Sequence, residues 1–186
     1  AGTETPVILY IGGSTLVEIT ESIRQLKRYD CQKIALMYGL QNYPTSFENS
    51  NLGKISILNE RFEFPIGYAS HAVGGSKQAK KLPAYAAASG ADLIECHMSL
   101  NRKNKRVDYI SSLNPTEFDE MIREVREVGT AVGTPTFGLT DAERRYRQGV
   151  RKSIYTRERI DSGSQITRDN IAYLRGDEDP DQYPIK

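Results

Sequence analysis

Two histidines are all this chain contains, and each closes an apolar run: His71 ends F-P-I-G-Y-A-S-H and His97 ends A-D-L-I-E-C-H. Alternation along the second run puts Leu93, Glu95 and His97 on one face of a strand, with Ile94, Cys96 and Met98 on the other. A glutamate and a histidine sharing one face are costly in an apolar layer, so that face is expected to meet a polar cavity. Asp108 follows in N-K-R-V-D-Y, on the loop after the same strand. Two imidazoles with carboxylates nearby can hold a divalent metal and leave positions open for water or substrate. The plainer alternative is that each histidine is a hydrogen-bonded structural group at a strand end. Their equivalent positions, with Glu95 and Asp108 close in sequence, keep the metal reading beside it.

Other segments offer weaker chemistry. Gln41-Asn42-Tyr43-Pro44-Thr45 follows an apolar run and presents hydrogen-bonding groups for a hydroxyl-rich ligand, or else is an ordinary turn. Gly74-Gly75-Ser76-Lys77, and similarly Gly12-Gly13-Ser14, would suit a phosphate at a helix start, although glycines are common in such loops. The basic run A-E-R-R-Y-R-Q-G-V-R-K surrounds Tyr146 with arginines. Asp141 and Glu143 dilute it, which favours a solvated helix over a nucleic-acid patch.

Four apolar runs, at residues 7–11, 33–38, 65–68 and 91–98, recur at spacings of roughly 26 to 32 residues, suited to βαβ units. Thr15 and Glu18 form a capping box ahead of the stripe Leu16, Ile19, Ile23 and Leu26. Residues 76–89 are alanine-rich, with Pro83 expected to mark a late helix start or a kink. Asn114-Pro115-Thr116-Glu117 is a strong helix start, followed by an expected buried stripe through Phe118, Met121, Ile122, Val125 and Val132, with Gly133 ending the helix. Near-continuous apolar strands alternating with helices predict a parallel sheet covered by helices, either doubly wound or barrel-like. Active sites in both types lie beyond the carboxyl ends of the strands, where both histidines fall. From about Gly138 the character changes: residues 140–150 read as a polar helix, residues 153–171 as small β pieces around a D-S-G turn, and G-D-E-D-P-D-Q-Y-P as a frayed acidic tail.

The 25 basic and 24 acidic side chains nearly cancel, so no overall field suggests nucleic acid. No apolar run approaches the ~20 residues of a membrane-spanning helix. The first residues, A-G-T-E-T-P, carry no signal-peptide pattern. Cys31 and Cys96 are too few for a disulfide framework. The expectation is a reduced, cytoplasmic setting, with no nucleic-acid or membrane partner.

Taken in order, V-I-L-Y-I-G-G-S-T-L-V-E-I, Q-N-Y-P-T, P-I-G-Y-A-S-H, G-A-D-L-I-E-C-H-M-S-L and V-D-Y-I-S-S-L-N-P-T-E-F resemble the sialic acid synthase family, including its spore-coat polysaccharide branch. The stretch R-K-S-I-Y-T-R-E-R-I-D-S-G-S-Q-I-T-R-D-N-I resembles the opening of that family's antifreeze-protein-like domain. The resemblance implies the second half of a TIM barrel over residues 1–137, a linker helix over 138–150, and the start of the antifreeze-like domain with its tail over 151–186. It implies condensation of phosphoenolpyruvate with an N-acylated mannosamine-type sugar. It also implies manganese or magnesium on His71 and His97, catalytic roles for Glu95 and Asp108, and substrate contacts from Gln41, Tyr43 and Ser70. Tyr10 and Ala69 depart from the family, standing where serines usually help hold phosphoenolpyruvate, and nothing here matches the lysines of the first four strands. Four βα units leave open edges, so assembly is expected, with a second copy or a missing N-terminal half. The alternatives are a non-catalytic sugar- or metal-binding module on the same scaffold, or an unrelated metal-dependent α/β hydrolase or aldolase.

Overall fold

The structure, a computed structural model, describes residues 5–175. The acidic tail lies outside the described residues. Four strands, β1 (Val7–Tyr10), β2 (Ile34–Tyr38), β3 (Ile66–Ser70) and β4 (Leu93–Cys96), form one parallel sheet in the order β1-β2-β3-β4. Each strand thus pairs with its neighbour in sequence, and the order never reverses. A doubly wound sheet requires a reversal. Right-handed crossovers between successive parallel strands then keep α1 (Leu16–Arg28), α2 (Gly53–Arg61) and α3 (Lys77–Ala88) on one face, and α4 (Pro115–Val132), which follows β4, packs against α3. This is the winding of a barrel, and it resolves the choice that periodicity left open.

The helices form for local reasons. Thr15 and Asn114 cap α1 and α4 through reciprocal bonds with Glu18 and Glu117, and Ser76 caps α3. Pro83 neither starts nor ends a helix: it is buried inside α3, where small neighbours Ala79, Ala84 and Ala86 are also buried. The core lies between sheet and helices, with Leu36, Ile55 and Ile66 fully buried. On the opposite face Ile8, Tyr10 and Leu93 are exposed.

The chain divides into two compact units between Thr134 and Pro135. The second holds α5 (Asp141–Val150) and an antiparallel pair, β5 (Lys152–Thr156) with β6 (Ile171–Arg175). The D-S-G turn is present: Ser164 N–H donates to Asp161 O, and Gly163 takes a φ of 90°. No residue of α5 is buried, so its arginines are solvated, one of them pairing with Asp141. Among the described residues no helix is long and apolar enough to cross a membrane.

Candidate functional site

β3 and β4 are adjacent, and their register pairs Ala69 with Glu95 and Ser70 with Cys96. One residue beyond the end of each strand stand His71 and His97, whose ring centroids are 5.2 Å apart. The loop after β2 brings Tyr43 against both, with centroids 4.6 Å from His71 and 5.6 Å from His97, each edge-on. Thr45 fixes this loop: its hydroxyl lies 2.8 Å from Leu40 O and 2.9 Å from Asn42 O, and its N–H donates to His71 O at 2.8 Å. The loop after β4 adds a second clamp, the Ser111 hydroxyl donating to the same His71 carbonyl at 2.9 Å. Leu113 N–H donates to His97 O at 2.9 Å. Three backbone-directed bonds from two loops therefore hold the paired rings.

The imidazoles are prepared for one job. His71 is buried, and its Nδ1 lies 3.0 Å from Leu40 O. A carbonyl only accepts, so Nδ1 carries the proton and Nε2 keeps a lone pair. Burial, with His97 beside it, lowers the His71 pKa and favours this neutral form. His97 faces Asp108 Oδ2 through Nδ1 at 3.7 Å, while its Nε2 is buried without a hydrogen-bond partner. Asp108 stands on the Nδ1 side, beyond hydrogen-bond length, and leaves Nε2 free, the arrangement from which a carboxylate supports a metal-binding histidine once it closes in. Among the described residues no three His, Cys, Asp or Glu side chains converge as a metal-holding set. The two imidazoles nonetheless suit a divalent ion, because an orphaned buried nitrogen calls for a partner.

Asp108 adopts a left-handed backbone, φ 58°, a conformation that aspartate tolerates better than most residues. Its carbonyl accepts from the Ser112 hydroxyl at 2.9 Å and from Ser111 N–H at 3.0 Å, which holds the turn. Glu95 points to the same inner face, and its carboxylate accepts a hydrogen bond from the Tyr10 phenol. That bond pushes the Tyr10 pKa up to about 12, with burial adding to it, so the phenol remains a donor. β1 and β4 are three strand spacings apart, roughly 14 Å on a flat sheet. The contact therefore requires the sheet to curl toward this face. On the outer face, burial pushes the Cys96 thiol up to about 12, which keeps it protonated.

The structure gathers Tyr43, Glu95, His71, His97 and Asp108, and leaves others aside. Gln41 is exposed on the loop that carries Tyr43. Ser70 is buried on the face opposite Ala69 and His71, toward the helices, and does not join the cluster. Packing accounts for the first glycine of Gly74-Gly75-Ser76-Lys77. A Cβ at Gly74 would stand 2.0 Å from Ser112 O, so the glycine is there to let two loops pack. Beside it Arg102 is engaged by Glu117, with Nη2 to Oε1 at 3.0 Å. Gly12 likewise serves a close approach, its Cβ position lying 2.0 Å from Gly39 O. Ser111 escaped the sequence reading, and Thr45 entered it only as part of the polar segment after β2, not as a clamp. A threonine or serine flanking each site loop was the available signal.

The NeuB family model matches residues 1–136. An uncharacterized protein of Methanocaldococcus jannaschii is 34% identical over 175 residues, 94% of this chain and 50% of its own. The N,N'-diacetyllegionaminic acid synthase of Legionella pneumophila is 28% identical over 179 residues, 94% of this chain and 49% of its own. Among solved structures, the N-acetylneuraminic acid (sialic acid) synthetase of Leptospira borgpetersenii superposes with a TM-score of 0.70 at 28% identity, over 78% of this chain and 50% of that one. The chain thus spans about half the length of the relatives it matches.

Proposed function

The chain belongs to the NeuB family, and from that premise we propose that it forms the strand 5–8 half of a nonulosonic acid synthase. The reaction would join phosphoenolpyruvate to an N-acylated mannosamine-type sugar, giving a nine-carbon 2-keto acid and phosphate. The carrying observation is the His71–His97 pair, with rings 5.2 Å apart and a buried, unpartnered His97 Nε2.

His71 and His97 would hold a divalent ion, manganese or magnesium, through Nε2. When bound there, the ion supplies Lewis-acid polarisation of the sugar aldehyde. Tyr43, packed on both imidazoles, walls the sugar's side of the site and excludes water from the rings. Asp108 takes a sugar hydroxyl, and Gln41 lines the entrance from the exposed loop. Glu95 serves the water or proton-transfer side, taking the proton from the water that adds to carbon 2. The barrel is closed by four preceding βα units, supplied by a longer polypeptide or a partner, and those units carry the phosphate-binding cations. The second unit is the opening of an antifreeze-protein-like domain, and the whole works in the cytoplasm.

Ala69 and Tyr10 favour a second reading, a sugar- or metal-binding module without turnover, because neither offers a free hydroxyl to phosphoenolpyruvate. The deciding assay follows phosphate release from manganese, phosphoenolpyruvate and N-acetylmannosamine, using this chain with a polypeptide that supplies the first four βα units. Release that depends on both halves and is lost in His97→Ala supports the synthase. Metal-dependent sugar binding without release supports the module instead.

A further inference from the structure

Glu95 poses a problem that its neighbours do not. It precedes His97 by two residues on one face of β4, so the two Cα atoms are about 6.6 Å apart. A glutamate side chain spans that distance, and a carboxylate next to two imidazoles is a natural third ligand. Yet among the described residues no three such side chains converge. The reason lies on β1. The Tyr10 phenol reaches across β2 and β3 and donates to the Glu95 carboxylate. β3 adds almost no bulk along the way: its inward residues there are Gly67 and Ala69. Met37 already fills the space above Gly67, its Sδ standing 2.6 Å from where a Cβ would be. Ala69, the registered neighbour of Glu95, brings only a methyl group, so it offers the carboxylate no competing side-chain donor.

We propose that Tyr10 is a positioning residue that tethers Glu95 away from the His71–His97 pair, keeping the ion site to two protein ligands and Glu95 free for the substrate. A two-histidine site leaves most of the ion's coordination positions open. A glutamate that swung onto the ion would fill one or two of them and lose its place as a base. The inference rests on the histidine reading above, but its direction is its own: removing the tether should strengthen metal binding.

The test is calorimetric titration of the full chain with Mn2+, comparing wild type with Tyr10→Phe. The variant keeps the ring and deletes only the hydroxyl; Tyr10→Leu serves as a second variant without it, and a thermal melt checks that each is folded. Freed, Glu95 joins the ion, and Mn2+ binds about tenfold more tightly, since added carboxylate ligands raise affinity for hard cations. Adding Glu95→Gln to Tyr10→Phe returns the affinity to the wild-type value, a reversal that a merely structural role for Tyr10 would not produce. Unchanged or weaker binding in both Tyr10 variants overturns the proposal, as does tightening that survives Glu95→Gln, or absence of Mn2+ binding in wild type and variants alike. Failure of the histidine reading has a different signature: wild-type affinity that is indifferent to His71→Ala together with His97→Ala.

Discussion

The outer face of the four-stranded sheet is sealed by helices: Leu36 and Ile66 are 0% exposed, and Leu82 of α3 is 2% exposed. The inner face buries Met37 near its middle, at 3% exposed, yet leaves Ile8 49% and Leu93 38% exposed. Both faces belong to the same strands, one residue apart. Stability therefore accumulates on the outer face, where apolar area leaves water, and the inner face is left to polar groups that converge as the strands end. The histidines, Glu95 and Tyr10 occupy that inner face or its rim, where a carboxylate can be tolerated because the space is not filled by a core.

Ile66→Ala or Leu36→Ala is the harshest trial of this division. Each should lower unfolding free energy by about 2–5 kcal/mol in urea denaturation, whereas Ile8→Ala should cost less than about 1 kcal/mol. Equal losses would mean that the inner face is packed in solution, by a second copy or another polypeptide. A smaller effect is expected of Ser111→Ala. The hydroxyl and the His71 carbonyl are both buried, so losing this donor should cost about 1–3 kcal/mol and weaken Mn2+ binding; full metal affinity in the variant would show that the clamp is dispensable to the site.

The pair that ties the β4–α4 loop to α4 gives the smallest effect, and it depends on pH. The Arg102 guanidinium, assisted by the Asn114 amide, holds the Glu117 carboxyl below its ordinary value of 4.5. A carboxyl with a lowered folded-state pKa contributes stability that is present above 4.5 and is lost as pH falls through the lowered value. The wild type should therefore lose more stability than Glu117→Gln between neutral pH and the acid side of 4.5, by about 1 kcal/mol given the partial exposure of both partners. Parallel pH profiles would show that the pair is only surface decoration.

Much of the outer architecture was legible because it is written in short-range patterns. The capping pairs Thr15–Glu18 and Asn114–Glu117 and the apolar stripes behind them marked α1 and α4. α2 carries no such mark: its N-cap Leu52 makes no side-chain bond, and only Ile55 and Leu58 are buried in it. Pro83 misled because a proline normally interrupts a helix, while here burial among alanines carries α3 through it. For the site, alternation placed Glu95 and His97 on one face. The same period applied to β3 would have sent Ser70 away from His71, as the structure does. What no local pattern could supply was the meeting of His71 with His97, or of Tyr10 with Glu95. Those contacts depend on strand adjacency and on the curl of the sheet, and both are set by residues far apart in the chain.

Pulsed electron paramagnetic resonance on Mn2+ added to the full chain addresses the paired imidazoles directly, because it reads nitrogen bound to the ion. One manganese per chain should couple to two imidazole nitrogens, with the coupling reduced in His71→Ala or His97→Ala and gone when both are replaced. A manganese signal without nitrogen coupling, or one that the double replacement leaves unaltered, would contradict the site at its centre.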